Sequence, residues 1–183
     1  MPASYLIYGE RSIERITIQK NETQSHRSAR ARGGCGPAAA SFLLVAETFV
    51  HELRVRYGEC DPQGIVFNAN YLLYCDVAFT ELWRAAVGPW QQMLERGYDA
   101  VVADAHLSFR APARFDDELA LRAHVTHLGR TAIVTEIDMV RDEQMLVQAR
   151  LRHVCVDRAT WSKTEIPAWI RGGLERFAGD THS

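Results

Sequence analysis

Arg56-Tyr57-Gly58-Glu59-Cys60-Asp61-Pro62-Gln63-Gly64-Ile65-Val66-Phe67-Asn68-Ala69-Asn70-Tyr71 is the stretch where the chain changes its period. Before it, Phe49, His51, Leu53, Val55 and Tyr57 alternate with Val50, Glu52, Arg54 and Arg56, the two-residue period of a strand with one buried face. Pro62 has no N–H to give a ladder, so the strand ends before it. After it, Tyr71, Tyr74, Cys75, Ala78, Leu82 and Ala85 recur at intervals of three and four, which predicts a helix from about Asn68 to Val87. At about 1.5 Å per residue such a helix spans roughly 30 Å, enough to cross a small domain. Gly88-Pro89 closes it.

Working outward, a short second helix runs from Trp90 to Arg96 and stops at Gly97. Four strands follow, at Ala100 to Arg110, Glu118 to Leu128, Thr131 to Arg141 and Met145 to Asp157. Pro167 opens a short terminal helix that reaches about Phe177. The order is strand, long helix, then four strands on short connections. It predicts an α+β fold in which one antiparallel sheet, read as a meander, wraps the long helix on its concave face.

The chain has 183 residues, 47% of them hydrophobic and 24% charged, which suits one globular domain with a core of its own. A formal net charge of −2 gives no support for a nucleic-acid partner, and no apolar run is long enough to span a membrane. Cys35, Cys60, Cys75 and Cys155 form no CxxC pair. Neither a thiolate zinc site nor a disulfide framework is expected, and reduced thiols point to the cytoplasm. Residues 21–40 hold Arg27, Arg30 and Arg32 but no large apolar side chain, so residues 1–48 read as a flexible extension and 49–178 as the folded domain. The apolar run Ala38 to Ala46 sits too far in for a secretory signal, and Glu10, Glu14 and Glu22 weigh against a transit peptide.

The chemistry concentrates at Asp61. A carboxylate just before a glycine turn and a helix start is close to unpaired N–H groups and the positive end of the helix dipole, which suit a developing oxyanion. Such a carboxylate either attacks a carbonyl or activates water. The alternative is that Asp61 only caps its own loop. Asp76 and Glu81 lie on the helix, as solvated positions or as part of a site. His51, His106, His124, His127 and His153 show no metal-ligand spacing, and His124 and His127, three apart on a strand, are expected on opposite faces. No metal is expected. Trp83, Trp90, Trp161 and Trp169 read as packing residues. No phosphate-binding glycine loop and no serine nucleophile elbow is present.

The run Arg56 to Tyr71 resembles the signature of hotdog-fold acyl-CoA thioesterases of the 4-hydroxybenzoyl-CoA thioesterase family. The similarity continues through Phe109 to Leu119, Leu128 to Thr131 and His153 to Asp157, covering roughly residues 49–160. The resemblance implies a hotdog fold and hydrolysis of acyl-CoA to free acid and CoA, with no cofactor. It implies that Asp61 is the catalytic carboxylate. Oxyanion donors lie at the start of the central helix, around Asn68, with Gly64, Phe67, Asn70 and Tyr71 shaping or supporting that start. Many family members carry His where Asn68 stands, and Asn cannot relay a proton. Asp76, about 12 Å along the helix, is positioned to meet a polar group at the far end of a short acyl chain. Arg110, Arg114, Arg130, Arg150 and Arg152 are candidates for the CoA phosphates. The family further implies a homodimer or homotetramer with the site at the subunit interface. Two other readings stay open: a hotdog hydratase or dehydratase, and a non-catalytic acyl-thioester-binding module.

Overall fold

A computed structural model describes residues 47–178. The expected flexible extension therefore lies outside the described residues, apart from Glu47 and Thr48. The elements are β1 (Phe49–Arg54), α1 (Asn68–Ala86), α2 (Trp90–Glu95), β2 (Tyr98–Phe109), β3 (Glu118–Leu128), β4 (Ala132–Arg141), β5 (Gln144–Asp157) and α3 (Ala168–Leu174), with single 3-10 turns at Tyr57–Glu59 and Glu175–Phe177. Within the described residues no helix is long and apolar enough to cross a membrane.

All five strands form one antiparallel sheet in the order β1-β3-β4-β5-β2. The expected meander holds for β3-β4-β5 and fails for β2, which pairs with β5 on the edge opposite β1. The physical reason is the connection at residues 110–117. Strands about 4.8 Å apart put β2 and β3 roughly 14 Å from each other, and eight residues reach well beyond that. Strand β1 and the helix after it thus belong to one edge, strand β2 to the other, and α1 lies across the sheet between them.

Seven side chains of α1 are buried: Tyr71, Tyr74, Cys75, Ala78, Phe79, Leu82 and Trp83. Their 3-1-3-1 spacing makes a stripe wider than the sequence pattern suggested, taking in Phe79 and Trp83 and leaving Ala85 exposed. The stripe meets Leu119, Leu121, Ala123 and Val125 of β3, Ile133, Ile137 and Met139 of β4, and Val147, Ala149 and Leu151 of β5 in one core cluster. Each large side chain taken from water there contributes about 1.5–3 kcal/mol. The helix ends where Gly88, at φ 113°, turns the chain back and its N–H joins that of Val87 on the Trp83 carbonyl.

Ladder irregularities at Val102/Asp104, Val125/His127 and Met139/Val140 mark bulges that add curvature. One of them corrects an expectation. Because Thr126 is the extra residue, His127 pairs with Val134 and His124 with Glu136, so both histidines face outward. His124 Nε2 lies 3.6 Å from Glu136 Oε2. Trp161 also departs from its expected packing role: it is 64% exposed on a turn, at φ 54°.

Two features of the core generate tests. A Cβ on Gly173 would stand 2.5 Å from the Ala86 carbonyl oxygen, so this glycine is what lets α3 approach the end of α1. Gly173→Ala is expected to lower stability by about 1–3 kcal/mol in urea unfolding. His153 is buried and stacked on Phe79 at 3.6 Å, with no partner for Nδ1. Burial lowers its pKa to about 4, from 6.5. The unfolded chain therefore takes up this proton first as pH falls, and stability present above pH 6.5 is lost on the way down to pH 4. The loss amounts to about 3 kcal/mol, and His153→Leu is expected to remove that part of the pH dependence.

Candidate active site

The link between β1 and α1 is built as a closed loop. Cys60 and Val66 form a bridge, the Asp61 N–H donates to the Ile65 carbonyl at 2.9 Å, and the Gly64 N–H donates to the Asp61 carbonyl at 2.9 Å. Gly64 sits at φ 75°, a conformation that a side chain would strain. Asp61 Oδ1 accepts the Gln63 N–H at 2.8 Å. The capping role considered from the sequence is therefore present, yet it uses one carboxylate oxygen and leaves Oδ2 for other work. Asp61 is half-buried.

Helix α1 begins directly after this loop, with Phe67 in an extended conformation as its cap. The Asn70 N–H already donates to the Phe67 carbonyl at 2.8 Å. The amides of Asn68 and Ala69, ahead of it, have no acceptor within the helix and carry the positive end of its dipole. The closed loop thus joins the residue carrying this carboxylate to the helix turn carrying these amides, seven residues apart along the chain.

Two buried tyrosines hold this arrangement. Tyr71 Oη accepts the Ala113 N–H at 2.9 Å, and the Ala113 carbonyl accepts the Val66 N–H at 2.9 Å, so the 110–117 connection is tied to both the loop and the helix. Tyr74 Oη donates to Glu59 Oε2 at 2.7 Å. Glu59, only 8% exposed, also takes the Arg56 N–H at 2.8 Å and Arg56 Nε at 2.7 Å. Its own carbonyl accepts Asn70 Nδ2 at 2.7 Å and the Phe67 N–H at 2.9 Å. Burial pushes the Glu59 carboxyl up, but the donors and the charge of Arg56 outweigh it and hold it below the usual carboxylate range. Burial first, and the carboxylate of Glu59 second, push the Tyr74 hydroxyl far above its ordinary value.

Glu59, Arg56 and Tyr74 did not stand out in the sequence. The signal was there in outline: a tyrosine in a buried helical stripe needs an acceptor, and Glu59 is the acid that stands between the strand and Asp61.

Beside the loop, a hollow of about 400 Å³ opens between the N-terminal half of α1 and β2, lined by Ala69, Leu72, Leu73, Asp76, Val102 and Leu151. Asp76 is its one ionisable residue and is exposed. Leu72, Leu73, Val102 and Phe109 are all about half exposed, an apolar strip that follows the outer edge of the sheet. Glu81 lies farther along α1 and pairs with Arg84.

The five arginines separate. Arg110 and Arg114 lie within the connection that Tyr71 ties to the helix, with Arg110 Nη2 donating to Gln148 Oε1 at 3.3 Å. Arg130 is in the β3–β4 turn at the opposite end of the sheet, where it pairs with Glu165 at 2.6 Å. Arg150 and Arg152 are exposed and alternate with the inward Leu151 and His153, which puts them on the convex face.

Residues 63–148 match the model of the thioesterase superfamily. The acyl-CoA thioester hydrolase YbgC of Escherichia coli O6:H1 is 29% identical over 119 residues, covering 64% of this chain and 89% of that protein. The 4-hydroxybenzoyl-CoA thioesterase of Pseudomonas sp. is 27% identical over 113 residues, covering 57% and 80%. Among solved structures, the hypothetical protein TT1821 of Thermus thermophilus superposes with a TM-score of 0.66 at 28% identity, over 70% of this chain and 98% of that one. The curved five-stranded sheet with a helix in its concavity is a hotdog fold, and residues 63–148 of it match the thioesterase superfamily.

Proposed function

We propose that the protein hydrolyses acyl-CoA thioesters to a free acid and CoA, with Asp61 as the reacting carboxylate. The observation that carries this reading is the pairing of a half-pinned Asp61 with the first turn of α1 through one closed loop. The thioester carbonyl oxygen would accept the amides around Asn68, where negative charge develops as the carbonyl carbon becomes tetrahedral. Asp61 Oδ2 either attacks that carbon, giving an anhydride that water opens, or takes a proton from the attacking water. In both routes the CoA thiolate leaves, and the acid is released. The side chains of Asn70 and Tyr71 are spent on the Glu59 carbonyl and the Ala113 amide, which makes them supports of the helix start.

The acyl group would occupy the hollow beside α1. Its apolar walls suit an aliphatic or aromatic body, and Asp76 is placed to accept a hydrogen bond from a hydroxyl at the acyl group's far end. Arg110 and Arg114, in the connection that Tyr71 ties to the helix, are the arginines this reading takes for the CoA phosphates.

The edge of β2 and the apolar strip beside it support a homodimer. Twelve residues of edge backbone, with half-exposed Leu72, Leu73, Val102 and Phe109 alongside, are what a second copy would cover by edge pairing. The hollow would then lie at the junction of the two copies.

A hydratase would need a histidine partner for Asp61. Within the described residues the histidines are at 51, 106, 124, 127 and 153, none of them in the loop or in the first turn of α1. A binding module without turnover would keep the same pocket.

Three measurements check this reading. Thiol release from short, long and aromatic acyl-CoA esters is expected with the wild type and is expected to fall at least 100-fold in Asp61→Asn, at unchanged fold; equal rates would reject Asp61. Asp76→Ala is expected to raise KM about tenfold for hydroxyaryl esters and to leave unsubstituted ones within twofold, since one lost hydrogen bond to a charged group is worth roughly 1.5–3 kcal/mol. Sedimentation is expected to give at least twice the 20.7 kDa chain mass, and a monomer would contradict the interface.

A further inference from the structure

Glu59 is the sole buried acid among the described residues, and it lies two residues from Asp61. A buried carboxylate is costly unless donors repay it, and here they converge from both sides of the loop. Arg56 reaches it from the end of β1 with its backbone N–H and its guanidinium. Tyr74 reaches it from the second turn of α1. The Glu59 carbonyl meanwhile receives Phe67 and Asn70, the cap and the first turn. One residue thus joins the strand that delivers Asp61 to the two levels of the helix that delivers the free amides.

Resting on the thioesterase reading, we propose that Glu59 is a positioning residue for the reaction: its clamp on Arg56 and Tyr74 sets Asp61 against the N-terminal amides of α1. It touches neither substrate nor reacting atoms. The expected signature is a loss in kcat with little change in KM, because the acyl hollow and the arginines of the 110–117 connection are not built from the clamp. The geometry of attack is sensitive to small displacements, and a misplacement of about 1 Å can cost 100-fold.

The experiment compares the wild type with Tyr74→Phe, Glu59→Gln and Ile137→Val on the best ester of the acyl-CoA panel. Tyr74→Phe removes one donor and keeps the buried ring. Glu59→Gln keeps the shape but turns an amide N–H₂ towards the donors. Ile137→Val is a core change in β4, remote from the loop, that lowers stability by a small amount and serves as the control. Expected are a kcat about 5- to 10-fold lower in Tyr74→Phe and about 30- to 100-fold lower in Glu59→Gln, with KM within twofold in both. Ile137→Val is expected to keep the wild-type kcat. If Glu59→Gln does not fold, Tyr74→Phe alone decides the matter. A wild-type kcat in Tyr74→Phe overturns the positioning role and leaves the thioesterase reading standing. A kcat loss in Ile137→Val that matches its loss of stability, and follows the same line as Tyr74→Phe, overturns it too. A wild type that releases no thiol from any ester overturns the thioesterase reading and this role with it.

Discussion

Helix α1 must bury seven side chains against a curved sheet, and two of them, Tyr71 and Tyr74, take hydroxyl groups in with them. That requirement organises the end of the molecule where the chemistry would occur. A hydroxyl buried without a partner costs several times what a satisfied one contributes. Tyr71 therefore demands the 110–117 connection, and Tyr74 demands the segment that ends β1. Once both are satisfied, the loop carrying Asp61 has little freedom left. Hydrophobic burial supplies the driving force, and two polar tips give it direction.

The same arrangement explains why the candidate site is at a helix start. The stripe that faces the sheet begins at Tyr71, so the first turn, Asn68 to Asn70, projects beyond the core. The amides of Asn68 and Ala69 are left for something other than the helix. Asn70 turns its side chain back onto the Glu59 carbonyl, and Gly64 supplies the left-handed residue that lets the loop close in so few positions. The apolar strip along α1 and β2 is the other unfinished surface. Core-like residues stand half exposed there beside an unpaired strand edge, as they would if a second copy completed the sheet.

Much of this was legible in the residues. The change from a two-residue to a 3.6-residue period across Tyr57–Tyr71 gave the helix to within a residue or two, and the strand pattern gave β3 with its bounds as observed. That a loop separates strand from helix was readable too, from Pro62 and Gly64, though its closure through the Cys60–Val66 bridge was not. What escaped was whatever depends on partners distant in sequence. The placement of β2 beside β5 is a matter of which edge α1 crosses to, and alternation within a strand does not carry that information. The bulge at Thr126 shifts His127 onto the face of His124, because one inserted residue reverses the alternation that sequence counting assumes. Trp161 looked like core by type but sits exposed on a turn, held by the hydrogen bonds of its neighbours to Asp157. Glu59 looked like one more charge in a polar loop, and only the approach of Tyr74, fifteen residues on, gives it a role.

The account stands on one spatial claim, that a thioester carbonyl is held between Asp61 and the first turn of α1. A crystal structure of Asp61→Asn with a bound acyl-CoA ester tests it most directly. The account predicts the carbonyl oxygen within about 3 Å of the amides around Asn68, the carbonyl carbon facing residue 61, and the acyl group in the hollow lined by Leu72, Leu73 and Asp76. An ester whose carbonyl lies away from that turn, beside Asp76 or Glu81 instead, would contradict it.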